Sequence, residues 1–198
     1  VKNKLLNQSF YIQITRGVQE ARSHTVSQDL APTVFINSQN LDINPYRGNM
    51  HKEGLRVRLE DDIRWQRCDI KTTALIGNIL SMHDPSLDRV DEIIFEKHGI
   101  INEGSKSNIF VVKKGKVYTP SLSQNILPGV TRNFIINLLK RNNIEILEEE
   151  IPVDSIYECD ELWLTSSTKE IQPVAFVDDY QLPKKNTDQY IWKKVLDL

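Results

Sequence analysis

The sequence predicts an α+β fold, and three observations carry that prediction. Segments with two-residue alternation outnumber segments with helical periodicity, they come in clusters, and no regular strand–helix–strand succession runs through the chain. At 198 residues, with 39% hydrophobic and 26% charged side chains, the chain has the make-up of an ordinary globular protein able to bury one large core or two small ones. No internal repeat, low-complexity tract or Gly/Ser linker interrupts it.

The elements follow in order. Residues 10–15 and 33–37 alternate and read as strands, separated by a polar loop over residues 16–31 that is long enough to be functional. Residues 54–59 (GLRVRL) alternate strictly, the pattern of a half-buried strand. Residues 72–83 read as a helix ended by Asp84-Pro85. A strand is expected at residues 92–96, a strand end at Ile100-Ile101, and a hairpin of residues 108–113 and 116–119 that turns at Lys114-Gly115. Residues 129–142 read as a helix with Val130, Phe134, Ile135, Leu138 and Leu139 on one face. Three short strands near Ile146, Leu162 and Val174 and a terminal helix over residues 190–196 complete the chain.

Composition narrows the function. A net charge of −2 gives no sign of a nucleic-acid or membrane partner held by bulk electrostatics. No apolar run approaches the roughly 20 residues a membrane helix needs, and no basic-then-apolar leader stands at the front. Cys68 and Cys159 form neither a disulfide framework nor a metal pattern, so a reducing, cytoplasmic setting is the expectation and no metal is.

Lys71 is the most unusual single residue. Counted along the expected helix, Leu75 and Ile79 share its face, which turns the lysine toward the apolar stripe. A desolvated amine is the nucleophile that Schiff-base chemistry requires. The plain alternative is a lysine at a helix start whose ammonium reaches back to solvent.

Four segments together extend this reading. Asp62-Ile63-Arg64-Trp65-Gln66-Arg67-Cys68-Asp69-Ile70-Lys71 resembles the stretch around the catalytic lysine of bacterial D-amino-acid aminotransferases, which are fold-type IV pyridoxal-phosphate enzymes. Asn102-Glu103-Gly104-Ser105-Lys106-Ser107-Asn108 resembles that family's glutamate motif. Ile126-Leu127-Pro128-Gly129-Val130-Thr131-Arg132 and Leu164-Thr165-Ser166-Ser167-Thr168-Lys169-Glu170-Ile171 resemble its two cofactor-phosphate segments, and all four occur in the family's order between about residues 11 and 182.

The resemblance implies pyridoxal 5′-phosphate as cofactor, Lys71 as its Schiff-base lysine and Glu103 as the carboxylate beside the pyridine nitrogen, which must stay protonated for the ring to act as an electron sink. Gly104 would let the backbone pass close to the ring. Val130, Thr131, Ser166 and Ser167 would hold the phosphate, the first two at a helix start whose free N–H groups suit an anion. Leu127 would pack on one ring face, and Arg64 would stand beside the cofactor. Without the family, each has a plain reading: Glu103 in a turn, Thr131 as a helix cap, Ser166 and Ser167 in a polar turn, Leu127 in the core.

Arg22 and His24 match the family's Arg-x-His pair for the substrate carboxylate; a guanidinium offers two parallel donors and the imidazole a third. Taken alone they are ordinary loop residues. In the family this pair reaches into the partner subunit's site, so the resemblance implies a homodimer. The implied reaction is transamination between a D-amino acid and a 2-oxo acid, with D-alanine and 2-oxoglutarate as the pair. Branched-chain aminotransferases and 4-amino-4-deoxychorismate lyases share the lysine and glutamate but not, as a rule, the Arg-x-His pair.

One departure stands at the front. Family members carry a smaller N-terminal lobe that supplies an arginine and a tyrosine to the site. Residues 1–9 cannot stand for it, and Tyr46 and Arg47 read as parts of a polar loop in the wrong place. The sequence therefore predicts mainly the larger C-terminal lobe, with the smaller N-terminal lobe largely absent. Residues 1–50 would be the remainder of that lobe with the carboxylate loop, and residues 51–198 the cofactor-binding domain. Either the sequence is a fragment of a longer enzyme or the natural chain is truncated, and in the second case a non-catalytic remnant is the rival expectation.

Overall fold

Alternating side chains build two β units here. The structure is a computed structural model that describes residues 7–25, 27–47, 53–83 and 89–198. The chain divides between Ile43 and Asn44 into a small and a large unit. In the small unit, β1 (Gln8–Thr15) and β2 (Thr33–Asn40) pair antiparallel, from Gln8 opposite Asn40 to Thr15 opposite Thr33. Their β-branched and aromatic residues suit a pleated backbone, and Tyr11 meets Phe35 edge-on at 6.2 Å across the pair. The loop between them is pinched at its neck. Gly17 has φ 110°, and a Cβ there would lie 2.0 Å from the Ala31 carbonyl oxygen, so only glycine lets the two ends close.

The large unit holds β3 (Leu55–Asp61), β4 (Glu92–Lys97), β5 (Ile100–Gly104), β6 (Asn108–Lys113), β7 (Lys116–Thr119), β8 (Ile146–Glu148), β9 (Glu161–Ser166), β10 (Glu170–Val177) and β11 (Tyr180–Gln181). They form one mixed nine-stranded sheet in the order β5-β4-β3-β10-β9-β6-β7-β8, with β11 added beside β10. Helices α1 (Ile76–Met82), α2 (Val130–Arg141), α3 (Asp154–Tyr157) and α4 (Ile191–Asp197) accompany it.

Both faces of the central strands are buried, which is why they read as continuous apolar runs. Ile109 and Val111 of β6 and Leu162 and Leu164 of β9 enter one core, while Phe110, Val112 and Trp163 enter the other, under α2 and α4. Phe110 and Trp163 stand in register with their rings stacked at 4.7 Å. The β6–β7 turn has Lys114 at φ 51° and Gly115 at φ 78°, the left-handed pair that a tight hairpin requires.

Three expectations are corrected. Helix α1 begins at Ile76, not Thr72, because the Thr72 hydroxyl accepts the Ala74 N–H at 3.2 Å, a local bond that competes with helix. The expected stop at Asp84-Pro85 lies outside the described residues. Helix α2 is rotated from its expected face: Val130 is 80% and Phe134 64% exposed, and the buried row is Arg132, Ile135, Ile136 and Leu139. Arg132 can face inward because Nη2 donates to the Pro120 carbonyl at 2.8 Å and to Glu148 at 2.9 Å. Tyr46, expected in a polar loop, is core: its hydroxyl donates to the Glu53 carbonyl at 3.0 Å and its ring meets Trp192 at 5.9 Å.

Candidate active site

Three of the four motif segments of the large unit meet at Asn108, the first residue of β6. Its Nδ2 donates to the Leu127 carbonyl at 2.9 Å and to Glu103 Oε2 at 3.2 Å. Thr165 of β9 stands opposite it in the sheet register, next to Ser166 and Ser167. On its other side lies Gly129, where a Cβ would come within 2.1 Å of Asn108 Oδ1. One amide therefore gathers the glutamate segment, the start of α2 and the end of β9.

Glu103 is buried and well supplied with donors. Oε1 accepts from Arg64 Nη1 at 2.7 Å, and Oε2 accepts from the Leu127 N–H at 3.0 Å as well as from Asn108. Burial pushes its carboxyl up to about 7, against the opposing pull of Arg64 and the Leu127 N–H. Arg64 is equally buried. Burial alone would lower it, but hydrogen bonds to Asp62 and Glu103 outweigh that and hold the guanidinium firmly charged. For Asp62, burial alone would raise the carboxyl, and Arg64 with Asn102 holds it below the usual range. The Arg64 guanidinium lies over the Phe95 ring at 4.5 Å and donates to the Asn125 carbonyl at 3.1 Å.

The turn after Glu103 explains its glycine differently from the sequence expectation. A Cβ at Gly104 would meet Ser107 Oγ at 2.2 Å and Glu92 Oε1 at 2.6 Å, so the missing side chain makes room for the Ser107–Glu92 hydrogen bond.

Lys71 is also corrected. It lies in an irregular, exposed segment ahead of α1, and Leu75 and Ile79 are each 48% exposed, so no helical face turns it into a core. Its segment is tied to the site through the Asp69 N–H, which donates to the Gln124 carbonyl at 3.3 Å. Leu127 and Thr131 are half-buried and Val130 is exposed at the start of α2. Gly129 precedes that helix without any side-chain cap, which leaves its first-turn N–H groups open to an anion. Ser166 ends β9 and Ser167 opens the turn after it. Arg22 and His24 belong to the small unit, exposed in the loop closed by Gly17 and Ala31, where the Thr25 N–H donates to Ser23 Oγ at 3.0 Å.

Sequence reasoning assigned no role to Asn108, Asp62 or Asn102. For Asn108 a signal was present: a polar amide at the mouth of the apolar strand Ile109-Phe110-Val111-Val112 needs a buried partner.

Comparison with known proteins gives the chain a family. The family model described as amino-transferase class IV matches residues 1–177. The chain belongs to the class IV aminotransferase family. A family relative, the D-alanine aminotransferase of Listeria monocytogenes serotype 1/2a, is 32% identical over 181 residues, covering 91% of this chain and 62% of that protein. The chain thus spans about 62% of the length of such curated relatives. Among solved structures, the branched-chain aminotransferase of Thermobaculum terrenum in its PLP form superposes with a TM-score of 0.79 at 24% identity, covering 95% of this chain and 62% of that one. A putative 4-amino-4-deoxychorismate lyase from Legionella pneumophila gives 0.79 at 19% identity, covering 94% and 67%. The α+β fold is the fold-type IV arrangement.

The family's cofactor fits the residues present. A carboxylate offers roughly four acceptor positions. Two donors occupy Oε2 of Glu103 and one occupies Oε1, so an acceptor position remains on Oε1. A protonated ring nitrogen is a cationic donor of the kind that would fill it, and its charge would draw the Glu103 carboxyl back down.

Proposed function

We propose that this chain carries the cofactor-holding part of a pyridoxal-phosphate aminotransferase that moves an amino group between a D-amino acid and a 2-oxo acid, with D-alanine and 2-oxoglutarate as the pair. The observation that carries the reading is Glu103, a buried carboxylate held by three donors with one acceptor position left. Identity of 32% to a D-alanine aminotransferase and the Arg22-x-His24 pair support the D-amino acid. Residues 1–50 are read as the remainder of a smaller lobe with the carboxylate loop, and residues 51–198 as the cofactor-binding domain. Two free cysteines, Cys68 and Cys159, suit a cytoplasmic setting, and a homodimer would let one protomer's Arg22 and His24 serve its partner.

When bound, pyridoxal phosphate supplies the electron sink that makes an amino acid's α-proton removable. Around it each side chain has a task. The Lys71 amine anchors the cofactor and, once released, carries the proton to and from the substrate α-carbon. Glu103 holds a proton at the ring nitrogen. The Val130 and Thr131 N–H groups and the hydroxyls of Thr131, Ser166 and Ser167 bind phosphate, and Leu127 covers a ring face. Arg64 holds Glu103, while Arg22 and His24 bind the substrate carboxylate.

The test is direct. Pyridoxal phosphate added to the purified chain should give a visible absorbance band that Lys71→Ala abolishes, and D-alanine with 2-oxoglutarate should then yield pyruvate. Pyruvate formed from aminodeoxychorismate without an acceptor would favour a lyase, and turnover of branched-chain substrates the branched-chain reading. A chain that stays colourless in excess cofactor would overturn the proposal in favour of a non-catalytic remnant.

A further inference from the structure

Consecutive residues of a strand normally point to opposite faces of a sheet. Asn102 and Glu103 instead reach the same ion pair: Asn102 Nδ2 donates to Asp62 Oδ2 at 2.9 Å, and Glu103 Oε1 accepts from Arg64 Nη1 at 2.7 Å. The register explains how. Ile94 faces Gly104 and Glu96 faces Ile101, so Phe95 alone stands opposite both Asn102 and Glu103. This is a β-bulge, a device that re-aims side chains and recurs beside active sites. Phe95, the residue across the bulge, is also the ring on which the Arg64 guanidinium rests.

Asp62 sits at the centre of the arrangement. Its N–H donates to the Glu96 carbonyl at 2.8 Å, which continues the β3–β4 ladder and fixes its backbone. Oδ1 accepts the Arg64 backbone N–H at 3.1 Å and Nε at 2.9 Å, and Oδ2 accepts Nη2 at 2.8 Å. A two-point grip on one edge of a planar guanidinium fixes where the remaining edge points. That edge holds Glu103.

We propose that Asp62 is a positioning residue for Glu103: it acts through Arg64, and the β5 bulge brings Asn102 to lock Asp62 in turn, so that Glu103 Oε1 keeps its open acceptor position in one fixed place. The inference rests on the reading of Glu103 as the partner of the ring nitrogen. Among the described residues, the charged and titratable groups that act on Glu103 are Arg64, Asp62 and the Cys68 thiol. If Asp62 acted only as a charge, its removal would take an anion away and lower the pH at which Glu103 titrates. If it positions Arg64, its removal loosens the cation that stabilises the Glu103 carboxylate, and the midpoint rises.

The 198-residue chain without cofactor allows the distinction, by isotope-edited infrared or carbon NMR of the Glu103 carboxyl, assigned by its loss in Glu103→Gln. Arg64→Gln should raise the midpoint by about one pH unit or more, the usual effect of a lost adjacent opposite charge. Asp62→Asn should raise it by part of that, and should raise it no further in the Arg64→Gln background. A downward shift in Asp62→Asn, or an upward shift that persists without Arg64, would overturn the proposal. Asn102→Ala leaves every charge in place and keeps the question open to test should Asp62→Asn not fold. It should give a smaller upward shift, and an unmoved midpoint in a folded chain would count against the proposal. The underlying reading is judged separately by titrating pyridoxal phosphate and following absorbance. Unchanged cofactor affinity in Glu103→Gln would sink that reading, while the carboxyl titrations would still decide the role of Asp62.

Discussion

Replacing Gly129 by alanine sets two effects of opposite sign against each other. Its backbone, at φ −61° and ψ 136°, is one that alanine adopts freely, so the loss of unfolded-chain entropy alone would stabilise the variant by about 0.4–1 kcal/mol. The contact decides otherwise. The new Cβ would lie 2.1 Å from Asn108 Oδ1 and 3.3 Å from its Cγ. Asn108 is 6% exposed and its Nδ2 donates to Leu127 and Glu103, so it cannot swing aside without pulling that buried donor away from both acceptors. Stranding that buried donor costs about 1–3 kcal/mol, and crowding a packed site costs about 1–3 kcal/mol. Net destabilisation should be about 2–4 kcal/mol, a fall in Tm on the order of 5–15 °C for a chain of this size. Thermal unfolding followed by circular dichroism measures it, beside Asn108→Ala and the double variant. With the amide gone the clash is gone, so the two costs should fall short of additivity by about 1 kcal/mol or more. A Gly129→Ala chain as stable as the parent, or fully additive costs, would refute the reasoning.

Two further outcomes are expected. Burial raises Glu103 from 4.5 to about 7 in the folded chain, so its contribution to stability is full below the unfolded value and is lost as pH rises through about 7; without cofactor, Tm should fall across that window, and Glu103→Gln should flatten that part of the slope. Glu148→Ala leaves the buried Arg132 cation without its carboxylate; because Glu148 itself is partly exposed and screened, this should cost about 1–2 kcal/mol in chemical denaturation, more than Arg132→Met, which removes the buried charge itself.

Much of the fold was legible because strand alternation is local information. Residues 108–113 and 116–119, with Lys114-Gly115 between them, specify a hairpin without reference to anything distant. The face of α2 was misjudged because a count of apolar residues leaves out Arg132, and what permits its burial is Glu148, on another element. The motif singles out Lys71, but its physical setting was misread, since the phase argument assumed a helix through Thr72 that begins only at Ile76. Asp62 and Asn108 both lay inside quoted motifs without a role. Their work consists of contacts to Arg64, Leu127 and Glu103, and spacing along a chain does not report contacts.

The position of Asn108 has a consequence in time as well as in space. It opens β6, a buried strand paired along its length with β9 and from Val111 onward also with β7, so the amides of that strand should exchange with solvent only through large-scale unfolding. Lys71 stands in an exposed stretch whose Ala74 and Leu75 N–H groups bond to Thr72 and Thr73. If it moves as exposed loops do, NMR relaxation should find it rearranging in nanoseconds to microseconds. The two ends of the candidate site would then keep separate clocks: a carboxylate frame that stays put as long as the sheet is folded, and an amine free to swing away and return many times within that lifetime.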